Sequence, residues 1–184
     1  MKWAGEQAVR EAFPEAAILR PASLYGFEDR LLNRWAGITR YWPVTPVLKG
    51  YDRLEGPLNV ADLARSVVAA VKDPWESDGA TFDLAGPTLR TSELVAAVEE
   101  ALMLEKRKLP VSVATAKTVA TALGQLRLPR ITADEVNMLR FDNVPSGENK
   151  TIQDLDIEPT DIRKGIVRYI RHYRMPNFIN IIEY

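Results

Sequence analysis

The feature that most constrains the fold of this chain is the alternation of short apolar runs with amphipathic segments. Residues 2–12 predict a helix, and Pro14 ends it because proline lacks the N–H group that a helix interior needs. Residues 16–19 form an apolar run of strand length, and residues 21–26 form a loop with a proline and a glycine at its ends. Strands that alternate with helices in this way predict an α/β fold with parallel strands.

The alternation continues for about a hundred residues. Further strands are predicted at residues 58–60 and 81–85, and further helices at residues 28–37, after residue 60 and after residue 91. Between residues 43 and 57, several prolines and glycines indicate an irregular stretch, and we expect a hairpin around residues 47–48.

Polar side chains mark two helix starts. The carboxylate of Asp62 is predicted to cap the helix after residue 60 by accepting from free backbone N–H groups. Thr132 and Glu135 stand three residues apart, which is the spacing of a capping box.

The pattern changes at about residue 105, where it becomes mainly helical. Residues 111–126 predict a weakly amphipathic helix, and residues 160–173 predict a strongly amphipathic one. We therefore divide the chain into an α/β part at residues 1–104 and a mainly helical subdomain at residues 105–184.

Composition excludes several classes of protein. The 24 basic and 25 acidic residues give a net charge of -1, so we expect no nucleic-acid partner. Charges interrupt every apolar run before it reaches the length of a membrane span. The chain has no cysteine and a single histidine, which excludes disulfides and a metal site built from these residues.

The sequence shows no catalytic constellation. His172 lies among arginines near a predicted helix end, where a structural role is favoured over a place in a Ser-His-Asp triad. Asp154 and Asp156 are interpreted as solvated turn residues rather than as Mg²⁺ or Ca²⁺ ligands. The sequence contains no glycine-rich phosphate-binding motif. We therefore predict neither a catalytic residue nor a metal ligand.

Four segments resemble motifs of the extended short-chain dehydrogenase/reductase superfamily. Lys2 and Glu6 match the spacing of the lysine and glutamate on the helix of its YxxxK motif. Residues 20–26, Arg-Pro-Ala-Ser-Leu-Tyr-Gly, match the loop that follows the next strand, and residues 59–64 and 155–160 resemble later segments. The resemblance implies that the α/β part is the C-terminal part of a Rossmann-like domain, without the half that binds the dinucleotide phosphates.

A closer resemblance is to the nucleotide-binding accessory subunits of mitochondrial respiratory complex I, which are atypical members of that superfamily. It is strongest over residues 4–33, includes residues 70–74, and covers essentially the whole chain in segment order, more weakly beyond residue 100. It implies a non-catalytic subunit that holds NADPH and contacts other complex I subunits. It also implies a structural or assembly role at the junction of the matrix and membrane arms, on the matrix side of the mitochondrial inner membrane.

The same resemblance implies which residues would contact the cofactor. Lys2 would hydrogen-bond the nicotinamide ribose. Four loop residues would lie beside the nicotinamide ring: Pro21, Ala22, Ser23 and Leu24. The tyrosine of the superfamily motif would fall before the first residue of this sequence, so we do not expect the chain alone to be an enzyme. NADP(H) binding is expected only if a partner chain supplies the phosphate-binding half.

These features predict partners and leave two alternative functions open. We expect a truncated or split subunit whose N-terminal Rossmann half is carried by a separate polypeptide, because a sheet cut in this way exposes apolar surface. Four basic residues of the predicted helix 160–173 could meet acidic proteins or lipid headgroups: Arg163, Lys164, Arg168 and Arg171. The alternatives are a C-terminal fragment of an active NADP-dependent reductase or nucleotide-sugar epimerase, and an independent α/β interaction module.

Overall fold

The computed structural model describes residues 2–73, 77–125 and 132–174, and it confirms the predicted α/β fold. The strands are β1 (Ile18–Pro21), β2 (Leu24–Tyr25), β3 (Thr45–Leu48), β4 (Leu54–Glu55), β5 (Leu58–Asn59), β6 (Thr81–Leu84), β7 (Leu89–Arg90), β8 (Lys108–Val111) and β9 (Lys150–Thr151). The helices are α1 (Lys2–Ala12), α2 (Leu31–Tyr41), α3 (Val60–Lys72), α4 (Thr91–Leu102), α5 (Val113–Gln125), α6 (Ala133–Met138) and α7 (Ile162–Ile170). Two 3₁₀ helices, Ile152–Leu155 and Arg171–Tyr173, complete these elements.

The central sheet contains three parallel strands in the order β1-β6-β9. Strand β6 lies in the middle, and its side chains alternate between partly buried and buried, as expected for a strand with one face on the core. Phe82 and Leu84 point into that core, where they meet Leu58, Ile152 and Ile157. The sheet therefore packs against the segment that follows β9.

A second core lies between helices. Helices α2, α4 and α7 pack together around eight buried apolar side chains: Leu32, Ala36, Leu94, Val98, Ala101, Ile162, Ile166 and Ile170. The spacing of the three isoleucines confirms the predicted amphipathic face of the helix at 160–173. Every helix in the described ranges is too short or too polar to span a lipid bilayer.

The predicted hairpin around residues 47–48 is wrong. Strand β3 instead pairs in parallel with β8, a strand from beyond α4. The N–H groups of Thr45 and Lys49 donate to the carbonyl groups of Arg107 and Val111, at 3.0 and 2.9 Å. Pro46 fits between these donors, because only alternate residues of a parallel strand donate to the same neighbour.

The predicted cap of α3 is also wrong. The side chain of Asn59 accepts from the N–H of Ala61 at 2.8 Å, so Asn59 is the N-cap. Asp62 lies within the first turn of α3 and is buried, with an exposed side-chain fraction of 1%. Local pattern favoured the acidic residue, but Asp62 is engaged in a tertiary contact that is described below.

The start of α2 is later than predicted. Asp29 accepts from the N–H groups of Leu32 and Asn33, at 2.6 and 3.1 Å. These bonds satisfy the first turn of a helix that begins at Leu31 rather than at residue 28. Strand β1 similarly begins at Ile18 instead of residue 16.

The division of the chain at residue 104 stays a prediction. Elements from both sides share sheets, because β8 pairs with β3 and β9 pairs with β6. Helix α7 also packs on α2 and α4. The end of the predicted helix 111–126 and residues 175–184 of the predicted subdomain lie outside the described residues.

Gly86 allows a close crossing of two segments, and we predict that Gly86→Ala destabilises the protein. A Cβ atom at this position would collide with the carbonyl group of Pro57. We expect a loss of about 3 kcal/mol in the free energy of unfolding, the upper part of the range for overpacking. Gly5→Ala is the control, because a Cβ there meets open space within α1 and should stabilise the helix slightly. Equal unfolding midpoints in urea for both variants would contradict the prediction.

Candidate functional site

The loop after β1 is held at the carboxyl edge of the central sheet. The N–H of Ala22 donates to the carbonyl of Leu84 at 2.9 Å, which extends the pairing of β1 with β6 by one residue. The carbonyl of Ser23 then accepts from the N–H of Leu58 at 2.9 Å. These bonds place Ser23 where the parallel strands end, which is the edge at which α/β proteins bind their ligands.

A cleft of about 410 Å³ opens beside this loop, and both Ser23 and Leu24 line it. Its other polar lining residues are Arg30, Arg34, Arg53, Glu135, Asp142 and Asn143. A cavity of this size falls within the range of small-molecule sites. We call it the Ser23 cleft.

Asn143 connects the loop after β1 to the opposite part of the cleft. Its side-chain Nδ2 donates to Oγ of Ser23 at 2.8 Å. Its backbone is fixed on β4, because its N–H donates to Leu54 at 2.8 Å and its carbonyl accepts from Gly56 at 3.0 Å. Sequence reasoning missed Asn143. An asparagine in a loop is a recognisable turn signal, but that signal does not identify a distant partner.

Glu135 is the centre of charge pairing in the Ser23 cleft. Its Oε1 accepts from Nη2 of Arg34 at 2.9 Å and from Nη2 of Arg30 at 3.1 Å. Its Oε2 accepts from the N–H of Thr132 at 2.8 Å, which confirms the predicted capping box. Burial alone raises the pKa of Glu135, but the bond from Thr132 and the two arginines outweigh it and hold the pKa below its ordinary value.

The third arginine of the cleft is paired as well. Nε and Nη2 of Arg53 donate to the same oxygen of Glu55, at 2.9 and 2.8 Å. Glu55 is buried, with an exposed side-chain fraction of 1%. Arg53 also donates to the carbonyl of Met138 at 3.0 Å. All three arginines that line the cleft therefore have acidic partners within this chain.

Segments that resemble superfamily motifs converge on Thr160. The hydroxyl of Tyr25 donates to the carbonyl of Thr160 at 3.0 Å. The carboxylate of Asp62 accepts from the N–H of Thr160 at 2.7 Å and from its Oγ1 at 3.2 Å. Burial raises the pKa of Tyr25 to about 12, so the hydroxyl remains a donor at neutral pH. These contacts tie the loop after β1, helix α3 and the segment before α7 into one unit.

Arg20 connects α1 to the central sheet. Its Nε donates to Glu6 at 2.8 Å, and its Nη1 lies 3.9 Å from Asp83. Asp83 also accepts from Oγ of Ser146 at 2.8 Å and from Nδ2 of Asn149 at 3.1 Å. Burial raises the pKa of Asp83, but these hydrogen bonds and the nearby guanidinium group together lower it below its ordinary value.

Two of the five residues that were predicted to contact a cofactor line the Ser23 cleft. Ser23 and Leu24 lie together in the cleft, whereas Pro21 ends β1 and Ala22 continues its pairing. Lys2 lies in the first turn of α1 and is exposed. Their roles toward a cofactor stay a prediction. In the part of the chain that the structure describes, no group of three or more acidic or histidine side chains could hold a metal ion.

Comparison with curated proteins identifies relatives in mitochondria. The mitochondrial NADH dehydrogenase (ubiquinone) 1 alpha subcomplex subunit 9 of Arabidopsis thaliana is 32% identical, over 96% of this chain and 47% of that protein. The mitochondrial NADH-ubiquinone oxidoreductase 40 kDa subunit of Neurospora crassa is 34% identical, over 92% of this chain and 44% of that protein. The chain thus spans about half the length of the curated relatives it matches. No protein-family model matches the sequence.

Solved structures show the same fold at much lower sequence identity. A nucleoside-diphosphate-sugar epimerase from Staphylococcus aureus matches with a TM-score of 0.61 and 18% identity, over 90% of this chain and 56% of that chain. A UDP-glucose 4-epimerase from Thermus thermophilus, in complex with NAD, matches with a TM-score of 0.60 and 14% identity, over 95% and 51%. At these identities the likeness shows the fold alone.

The fold is thus the Rossmann-like α/β fold of these epimerases, over about half the length of each. The sequence matches are more specific. They show that this chain is homologous to subunit 9 of the alpha subcomplex of mitochondrial complex I, over about half of that subunit. The resemblance and the fold class that were predicted from the sequence are both confirmed.

The Asp83 network predicts a pH-dependent contribution to stability. Because the folded-state pKa of Asp83 is lowered, its contribution is present above the pKa of the unfolded chain and is lost as the pH falls through the folded-state pKa. Asp83→Asn should therefore lower the free energy of unfolding at pH 7, and the difference from the wild type should shrink on acidification. Urea unfolding at several pH values measures this.

The control for Asp83→Asn is Glu148→Gln, which alters an exposed acid in the loop whose Ser146 and Asn149 donate to Asp83. It should leave the pH dependence of unfolding close to that of the wild type. A difference between Asp83→Asn and the wild type that stayed constant from pH 7 down to strongly acidic pH would refute the role assigned to the carboxylate.

Proposed function

We propose that this chain is part of a non-catalytic accessory subunit of mitochondrial complex I, with a structural or assembly role where the matrix arm meets the membrane arm. The observation that carries the proposal is the match of 96% and 92% of the chain to subunits of that complex, at 32% and 34% identity. Its partners are then other complex I subunits, and its location is peripheral, on the matrix side of the inner membrane.

The exposed side of α1 supports the proposal that a partner completes the sheet. None of the residues of α1 is buried; Trp3 and Val9 of the helix are 70% and 47% exposed, and Phe13, which follows it directly, is 58% exposed. One edge of β1 pairs with no strand of the described residues. We call these features together the α1–β1 surface. An apolar helix face beside an unpaired strand edge favours association.

We infer that a separate polypeptide with the N-terminal Rossmann half covers the α1–β1 surface. The curated relatives are about twice as long as this chain, which leaves a segment of domain size for that role. Strand addition to β1 would satisfy its free N–H and C=O groups, and burial of the three aromatic and aliphatic side chains would stabilise the contact.

The same partner would complete a nicotinamide nucleotide site. Pro21 ends β1 with an exposed, compact side chain, and Ala22, which follows it, has a small one. The ammonium group of Lys2 is exposed and offers three donors to a ribose. These residues fit NADP(H), with Ser23 and Leu24 beside them, but the phosphates need the other half of the fold. We propose that NADP(H) binds only to the completed domain.

The exposed side of α7 supports contact with a membrane surface. Lys164, Arg168 and Arg171 are exposed, whereas Arg163 lies 3.6 Å from Glu93. The guanidinium group of Arg168 lies over the ring of Phe27, 5.7 Å from its centroid. Exposed cations beside an exposed aromatic ring are typical of surfaces that meet anionic lipid headgroups. We propose that this basic face contacts the headgroups of the inner membrane.

Native purification tests the proposed function. A tagged chain isolated from mitochondria in mild detergent should bring down complex I subunits, a Rossmann-type polypeptide and, on denaturation, NADPH. Phe13→Glu should reduce recovery of the Rossmann-type polypeptide at least tenfold, because it buries a charge in the proposed contact. Val71→Glu is the control, since Val71 is 75% exposed on α3, outside the α1–β1 surface.

Two outcomes of this purification would overturn the proposal. Recovery of the chain alone, folded and monodisperse, would favour an independent interaction module. Recovery with one reductase-like partner that transfers hydride to a substrate, without respiratory subunits, would favour the fragment of an active reductase or epimerase.

Vesicle binding tests the basic face separately. Reversal of Lys164, Arg168 and Arg171 to glutamate should weaken binding to vesicles of phosphatidylglycerol and phosphatidylcholine by on the order of 100-fold, because each cation near such a surface contributes about 1 kcal/mol. The control reverses three exposed cations elsewhere on the chain: Lys49, Lys72 and Arg107. Equal loss in both variants would show only a net-charge effect and would refute the specific face.

A further inference from the structure

The Ser23 cleft contains an arrangement that the proposed accessory role does not use. Two guanidinium groups, of Arg30 and Arg34, converge on the single oxygen Oε1 of Glu135. The side chains of Arg34 and Glu135 are 21% and 24% exposed, so the ion pair between Arg34 and Glu135 is sheltered from solvent. Two guanidinium groups around one oxygen form the arrangement with which proteins bind phosphate.

The capping box determines where the Glu135 carboxylate lies. Its second oxygen is fixed by the N–H and the hydroxyl of Thr132, at 2.8 and 3.3 Å. The side chain is therefore held at both ends, by the start of α6 on one side and by α2 and its preceding turn on the other. The carboxylate occupies the position at which the oxygen of an incoming anion would meet the arginines.

The other carboxylates near the cleft are already engaged. Asp29 accepts from the backbone N–H groups of Gly26, Leu32 and Asn33. Asp142 accepts from the N–H of Leu54 at 2.8 Å. Within the described ranges, Glu135 is thus the acid that neutralises both Arg30 and Arg34.

We propose that Glu135 acts as an internal anion that keeps the Ser23 cleft closed to ligands bearing a phosphate or diphosphate group. The cleft has the cations, the volume and the polar groups Ser23 and Asn143 that such a ligand needs. The carboxylate already holds the two guanidinium groups, and an incoming anion would have to displace it. This inference concerns binding in the cleft and does not depend on complex I membership.

Removal of the Glu135 charge tests this proposal. In Glu135→Gln the amide oxygen can still accept from the backbone N–H of Thr132, so α6 keeps its cap while the arginines lose their counter-charge. The tagged chain is purified with its partners and studied by equilibrium dialysis with radiolabelled pyrophosphate. The variant should bind one additional pyrophosphate per copy of this chain relative to the wild type, with at least tenfold higher affinity for that site.

The matched control is Glu93→Gln. Glu93 also accepts from the backbone at the start of a helix, through the N–H of Arg90 at 2.8 Å, and it also lies near an arginine. It does not line the Ser23 cleft. Glu93→Gln should bind pyrophosphate as the wild type does, and adding Arg34→Met to Glu135→Gln should abolish the additional site.

Clear results would overturn the proposal. Wild type and Glu135→Gln that bind pyrophosphate equally would show that the carboxylate does not close the cleft. An additional site that survived Arg34→Met would place the anion elsewhere. If Glu135→Gln does not fold, Glu135→Asp replaces it, because the shorter side chain keeps a capping carboxylate but draws it back from the arginines. Absence of a gain in that variant would equally refute the proposal.

Discussion

The buried carboxylate of Asp62 is the interaction on which the arrangement of the two cores depends. Its side chain is 1% exposed, and it accepts from the N–H and the hydroxyl of Thr160 and from Arg65. An unpaired carboxylate at this position would lose several kcal/mol of solvation without compensation. Helix α3 and the segment before α7 are therefore stable only together. Tyr25 adds the loop after β1 to the same point, and α7 in turn completes the core between α2 and α4.

Local patterns predicted the elements whose cause lies within a few residues. Examples are the alternation along β6, the helix α4, and the capping box of Thr132 and Glu135. The same reasoning failed where a partner lies far away in the sequence. The predicted hairpin at β3 is wrong because the true partner, β8, lies about sixty residues away in the sequence. The predicted cap at Asp62 is wrong because its carboxylate binds Thr160, which is even more distant.

The roles of the candidate site residues toward a cofactor stay a prediction. The resemblance to a superfamily motif identified Ser23 and Leu24, which do line the cleft. In the sequence, the arginines of the cleft look like ordinary surface residues of a helix or a loop. Their positions do not reveal which acidic residue each of them contacts. The fold pairs the cleft arginines with acidic residues of the chain, whereas Lys164 and Arg168 of α7 and the following Arg171 are exposed to solvent. This contrast is the basis of the two proposals that the basic face contacts a neighbouring surface and that Glu135 occupies Arg30 and Arg34.

The long sequence separation of the main contacts has a consequence for the order of folding. The principal pairings join segments that leave the ribosome far apart in time. They are β1 with β6, β3 with β8, and Asp62 with Thr160. Such a high contact order slows folding and delays it until α7 has been synthesised. Until then Leu94 and Val98 of α4 lack the isoleucines that cover them. Between the synthesis of α4 and that of α7, the nascent chain therefore presents an apolar helical surface of the kind that chaperones bind.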